Sequence, residues 1–282
     1  MIRKLDCGWG IGLGAVVEII GVAWLWSTCG HPSGMGAARA ILGGSFDRFD
    51  AAMPLSMALS GAAIWMIAVP AGQAMRRRED GRVQMLIAGC LVPLAGCLLA
   101  HWVVGGLVAR GSDAIGWSPW QDVVAQFCLP VGGLAAVACG SMALGARDEG
   151  ALACWWSGSS GGLALMALGR ADDGGLSVAL FLALAQWVVV GIWVLVGGPG
   201  GRASGWRAWA TAGCAASLAG AWPLPGGLAR WRLLEEMCGG GFGMAWDRAL
   251  LLALVLSWAL AVVACAARMW HSLARKLSHR FP

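Results

Sequence analysis

Tyrosine is missing from all 282 residues, and charge is scarce: Asp, Glu, Lys and Arg together make up 12% of the chain. A soluble protein carries about 25% charged residues, so a water-facing globular domain is excluded. The missing phenol removes one candidate nucleophile or acid. It also leaves interfacial anchoring, which Tyr and Trp usually share, to the 18 tryptophans. No Cys-x-x-Cys occurs among the ten cysteines, so neither a dithiol redox motif nor a zinc knuckle is supported. Cys90, Cys97, Cys128, Cys139, Cys214 and Cys265 fall inside apolar runs, where free cysteine behaves as a small hydrophobe.

Apolar residues make up 59% of the chain, and the mean hydropathy is +0.70. They come in runs of about 20 residues, enough to cross a hydrocarbon core about 30 Å thick. The runs cover residues 9–27, 53–75, 84–108, 121–145, 151–168, 176–197, 207–222 and 248–268. The sequence therefore predicts an all-α polytopic membrane protein with six to eight transmembrane segments. It reads as a single membrane domain over 1–282, with half-repeats of about 1–145 and 146–282. The first segment is expected to be retained, since no small-x-small cleavage site follows it. A net charge of +5 suits basic loops at a bilayer and does not point to nucleic acid.

Two of the runs are interrupted. One reads Trp26-Ser27-Thr28-Cys29-Gly30, the other Trp156-Ser157-Gly158-Ser159-Ser160-Gly161. Both place hydroxyls and glycine after an indole, at corresponding places in the two halves. Bare backbone is tolerated at membrane depth only where protein or a water-filled cavity surrounds it. Matched interruptions of this kind point to a midplane site built from an inverted repeat. The regions 9–44 and 151–175 are thus expected to form re-entrant helical hairpins. With eight spans, the side carrying both termini holds most of the Lys and Arg and would be cytoplasmic; with six, that bias nearly vanishes.

An ionisable group inside an apolar run is expensive and is a functional hypothesis by default. Glu18 is such a group; it is either a structural glutamate or an acid, base or metal ligand in a cavity. His31 lies thirteen residues later, beyond Ser27 and Thr28. A fold-back after Gly30 would let all four line one pocket. For Ser159-Ser160-Gly161-Gly162 two readings stay open: a turn offering hydroxyls and N–H groups to an anion, or close helix packing through small residues. The run Arg76-Arg77-Arg78 reads as a headgroup anchor. A quinone-facing anchor subunit lacks the paired intramembrane histidines that haem would want.

The stretch GAVVEIIGVAWLWSTCGH (14–31) resembles the first motif of the undecaprenyl-pyrophosphate phosphatases, the bacitracin-resistance family, which reads roughly GVVEGxTEFLPVSSTGH. The similarity continues in order through FDAAMPLSMALSGAAIW (49–65), AGCLVPLAGCLLAH (88–101), VGGLAAVACGSMALG (131–145), ALACWWSGSSGG (151–162) and AWDRALLLAL (245–254). Four positions depart from the family's pattern. Val22 stands where it has a second glutamate, Trp156 where it has proline, Ser160 where it has arginine, and Ala164 where it has threonine. Arg170 lies nearby, out of register.

The resemblance implies a multi-pass protein of the bacterial inner (plasma) membrane. Its partners would be the bilayer and a polyprenyl diphosphate lipid, and a homodimer stays open. It would hydrolyse C55 isoprenoid diphosphate to the monophosphate, recycling the lipid carrier of peptidoglycan synthesis with a divalent cation, Mg²⁺ or Ca²⁺. Glu18, His31, Ser27 and Thr28 would be catalytic, with Glu18 holding the metal, and Ser159, Ser160 and Gly161 would bind the substrate phosphate. A catalytically impaired relative that binds or translocates polyprenyl phosphate is the alternative, because phosphoryl transfer depends on positive charge at the phosphoryl oxygens.

Overall fold

The computed structural model of the chain describes residues 7–28, 48–75, 92–111, 119–146, 149–196, 206–239 and 245–278. Among these residues the secondary structure is entirely helical. The elements are α1 (Cys7–Thr28), α2 (Arg48–Ala63), a π-helical turn (Ile64–Ala68) running into α3 (Val69–Met75), α4 (Val92–Gly111), α5 (Pro119–Leu144), α6 (Glu149–Leu168), α7 (Asp173–Val196), α8 (Trp206–Leu218), α9 (Pro225–Gly239) and α10 (Ala245–Ser278). Four stretches are long and apolar enough to cross a membrane: Leu55–Met75, Val123–Leu144, Asp173–Trp193 and Arg248–Ala267. The shorter apolar stretches Gly12–Gly21 and Val92–Gly105 lie within α1 and α4.

Helix α6 is the centre of the bundle. Every residue from Gly150 to Gly169 is buried, and α5, α7, α3, the π turn and α4 pack around it. A helix enclosed on all sides is apolar or small all round. Here the small residues set how closely its neighbours approach. A Cβ at Gly162 would fall 2.7 Å from both the Gly132 oxygen and the Ala136 nitrogen of α5. A Cβ at Gly161 would fall 2.3 Å from the Met66 oxygen in the π turn. Backbone thus meets backbone on two sides of α6, the small-residue packing expected inside membrane bundles.

This arrangement corrects one expectation. The interruption after Trp156 is not a break, because Glu149–Leu168 runs as one helix. Of the residues that look like a turn in the sequence, Ser159, Gly161 and Gly162 are packing positions.

The interruption in the helical ladder lies elsewhere, in 48–75. There Val69 N–H returns to the carbonyl of Ile64, five residues back. Pro70 follows and cannot donate to Met66, four residues before it. Widened turns of this kind often mark functional positions. Here the turn lays its Met66 carbonyl against Gly161.

The rod 48–75 also packs against α1. Gly14 fits beside Trp65, and a Cβ at Gly21 would lie 2.4 Å from the Ala58 nitrogen. Helix α1 and helix α6 therefore pack on the same rod.

The α8–α9 connection is a helix stop of defined chemistry. Gly220 adopts φ +86°, Ala221 N–H donates to Ala216 O, and Gly220 N–H donates to Ser217 O, each at 2.9 Å. These are the two bonds of a Schellman cap, whose left-handed position favours glycine. The Trp258 indole of α10 donates to Gly220 O at 2.9 Å, tying the cap to the last helix. The chain passes through it, so that α9 lies against α7 and beside α8.

Candidate functional site: a polar seam through the central helix

Three hydroxyls of α6 point in different directions. Ser159 Oγ donates to Ala136 O of α5 at 3.0 Å and is fully buried. Ser157 Oγ accepts a hydrogen bond from the Gln186 amide of α7. Ser160 is buried too and lines two small clefts. Gln186 lines both clefts as well.

The first cleft lies toward the π turn and α4. Its walls are Met66, Pro93, Leu94, Cys97, Gly161, Ala164 and Ala183. Ser160 and Gln186 supply its polar side chains.

The second cleft opens between α6, α7, α8 and α9. Ser160, Gln186, Ser217 and Arg230 bring polar groups into it, among Leu182, Ala185, Val189, Leu218, Gly226 and Ala229. As a whole it has room for about one water molecule.

Arg230 is the unusual member. It is 2% exposed. Its Nη2 donates to Leu218 O at the end of α8, at 3.0 Å. That carbonyl belongs to a helix C-terminus, where cations are favoured. Nη1 has no hydrogen-bond partner among the described residues.

The acids of α9 are engaged elsewhere. Glu235 takes the Trp231 indole and Arg232, and the carboxylate of Glu236 lies beside Gly174. Ser217 Oγ is held by the Gly226 N–H at 3.1 Å.

The residues expected from the sequence are distributed as follows. Glu18 lies in the middle of α1, and Ser27 and Thr28 in its last turn; their side chains fall outside what is described, and His31 lies outside the described residues. The fold-back expected after Gly30 falls outside them too. Ser160 and Gly161 line a cleft, whereas Ser159 is committed to the α5 interface.

The expected N–H cradle at Ser159–Gly162 does not form. Inside a continuous helix those N–H groups are already bonded four residues back. Arg170 bridges Asp172 at 3.0 and 3.1 Å and donates to Glu236 O, so it fastens the α6–α7 turn to α9. That turn keeps Ala171 at φ +51°, and Asp172 Oδ1 caps α7 through the Gly175 N–H at 2.6 Å.

Sequence reasoning missed Gln186, Ser217 and Arg230. Gln186 carried a signal, being an amide inside the apolar run 176–197. Arg230 carried none, since Leu-Ala-Arg-Trp-Arg reads as a solvated face.

The resemblance implies a divalent cation. Hydroxyls, an amide and a guanidinium do not fit one, because Mg²⁺ and Ca²⁺ take oxygen ligands that include carboxylates. Among the described residues no group of three His, Cys, Asp or Glu side chains is gathered as a metal site. No protein-family model matches the chain, and no curated protein matches it significantly.

Proposed function

We propose that the chain is a multi-pass membrane hydrolase that converts a polyprenyl diphosphate, of the C55 class, to the monophosphate and phosphate. The observation that carries this reading is the polar seam inside an apolar bundle. Ser160, at the second motif's arginine position, opens onto a cleft that holds a buried cation. A lipid diphosphate needs such a place, with apolar walls for the chain and donors for the oxygens.

In this reading six to eight segments lie in the bilayer of a bacterial inner membrane. They are the four long apolar helices, joined by segments drawn from α1, α4, α6 and α8, with an inverted repeat of the two halves as the organising plan. Glu18 would hold Mg²⁺ or Ca²⁺ or activate the attacking group, and His31 with Ser27 and Thr28 would attack or relay the proton.

A second reading has its own support. Helix α6 runs unbroken through Ser157–Gly162, so its backbone offers no oxyanion donors, and Val22 replaces a carboxylate. A protein that binds or translocates polyprenyl phosphate without cleaving it would need neither.

The two readings separate in one assay. The purified chain is given C55 diphosphate with Mg²⁺ or Ca²⁺, and released phosphate is measured beside Glu18→Gln. Turnover abolished in the variant supports the hydrolase. Lipid binding with no release from either protein supports the carrier, and equal release from both removes Glu18 from the chemistry.

A further inference from the structure

Helix directions show that the chain recrosses the bundle between α7 and α10. Helices α5 and α6 are antiparallel, since Gly158 lies beside Cys139 and Gly162 beside Gly132. Helices α6 and α7 are antiparallel too, with Ser157 at Gln186 and Ala167 at Gly175. Helix α10 runs with α5: Gly133 faces Leu250 and Ala253, and Gly140 faces Ser257 and Leu260. So α7 and α10 point the same way, and the chain between them must return across the bundle.

Among the described residues, α8 and α9 are the elements that make this return. Neither is long enough alone. The 13 residues of α8 and 15 of α9 extend about 20 and 23 Å, against a hydrocarbon core about 30 Å thick. Their contacts divide the distance. Helix α8 shares a core with Val189, Trp193 and Ala261, in the second halves of α7 and α10. Helix α9 shares one with Leu176, Ala179 and Leu254, in the first halves, and its Glu236 carbonyl accepts Arg170 at the α6–α7 turn.

The break between them lies at half depth. Gly220 O meets Trp258, in the middle of the apolar stretch Arg248–Ala267. Ser217 and Gly226 share a cleft with Leu182 and Gln186, near the middle of Asp173–Trp193.

We propose that α8 and α9 are the two halves of one discontinuous transmembrane span, broken near the bilayer midplane, with Arg230 as the tethered cation of the break. A break at that depth is tolerated only where its backbone is satisfied by protein or water. Here the protein does it. Ala216 O and Ser217 O accept the N–H groups of Ala221 and Gly220, Gly226 N–H is taken by Ser217 Oγ, and Leu218 O takes the guanidinium. In broken transporter helices such a C-terminal end holds an exchangeable Na⁺ or H⁺; here the positive charge is part of the chain. Such a span would serve a hydrolase and a carrier alike.

The test uses the full chain in sealed, uniformly oriented vesicles, a membrane-impermeant maleimide and peptide mass as the readout. Cys238, exposed at the end of α9, should be modified from one face, and Trp206→Cys at the start of α8 from the other. Modification of both from the same face overturns the span. Trp222 is 67% exposed at the break. Trp222→Cys should escape the reagent from both faces and react only after unfolding in sodium dodecyl sulfate; modification in intact vesicles overturns the midplane break. Arg230→Met strips Leu218 O of its donor and should melt below the wild-type chain, with Arg230→Lys between them. A methionine variant as stable as wild type overturns the role of the cation and leaves the span to the labelling.

Discussion

A single methyl group can be used to read the contacts of α6. Gly162→Ala puts a Cβ 2.7 Å from two backbone atoms of α5, and backbone cannot yield as a side-chain tip can. Overpacking of this kind costs about 1–3 kcal/mol, so the variant should unfold at lower temperature in detergent. Gly191→Ala in α7 is the matched control. Nothing lies within 4 Å of its added methyl, and alanine is the better helix former by about 1 kcal/mol, so its melting temperature should hold or rise. Gly220→Ala combines a left-handed backbone penalty of about 1–2 kcal/mol with displacement of the Arg230 guanidinium, so its melting temperature should fall. The residues themselves explain why this was only partly legible. Serines among glycines signal that backbone comes close to something, but not whether that something is a ligand or another helix. At Ser159 it is a helix, and at Ser160 it is a cleft.

Among the elements, the long apolar helices were legible and the short amphipathic one was not. The expected run 121–145 is α5 at Pro119–Leu144, and 176–197 is α7 at Asp173–Val196. Their length and continuous hydrophobicity leave one solution. Helix α9 read as a polar connection because Arg232 and Glu235 lie on its exposed side, while Ala229, Arg230, Leu233 and Met237 form the buried one. An arginine on the inner face disguised the pattern. The π turn at Ile64–Ala68 was hidden as well, since proline within an apolar run announces a disturbed ladder but not its form.

Helix α9 is fixed at both ends, by Leu218 O on Arg230 and by Arg170 on Glu236 O. Asp172→Ala removes both the cap of α7 and the partner of Arg170. Caps are worth about 0.5–2 kcal/mol, so a loss of that order is expected in thermal unfolding. Cys238 on α9 is exposed, whereas Cys97, Cys128, Cys139 and Cys154 are buried. A maleimide applied to the folded protein should therefore modify Cys238 and spare those four until denaturant is added, as read by peptide mass.

On the scale of the whole molecule, apolar surface faces outward. Leu134 is 74% exposed, and Leu252, Val263 and Phe181 are exposed too, on α5, α10 and α7. For a chain built to sit in lipid this is the solvent-facing surface. Placing a cation at the centre of a transmembrane helix costs about 2.5–3.5 kcal/mol on insertion scales. Leu134→Arg should therefore reduce the membrane-inserted fraction in a translocation assay, whereas Leu134→Phe should not. Trp206 and Trp209 are exposed on α8, as expected of indoles at the headgroup level.

The enclosure of α6 bears on how the protein is made. During synthesis this serine-bearing segment leaves the ribosome before α7 and α10, two of the helices that will cover it. Alone it would offer lipid a row of hydroxyls and bare glycine backbone, a poor passenger for the translocon's lateral gate. In the proposed multi-pass arrangement its retention awaits those companions downstream, which makes biogenesis of this chain a collective event.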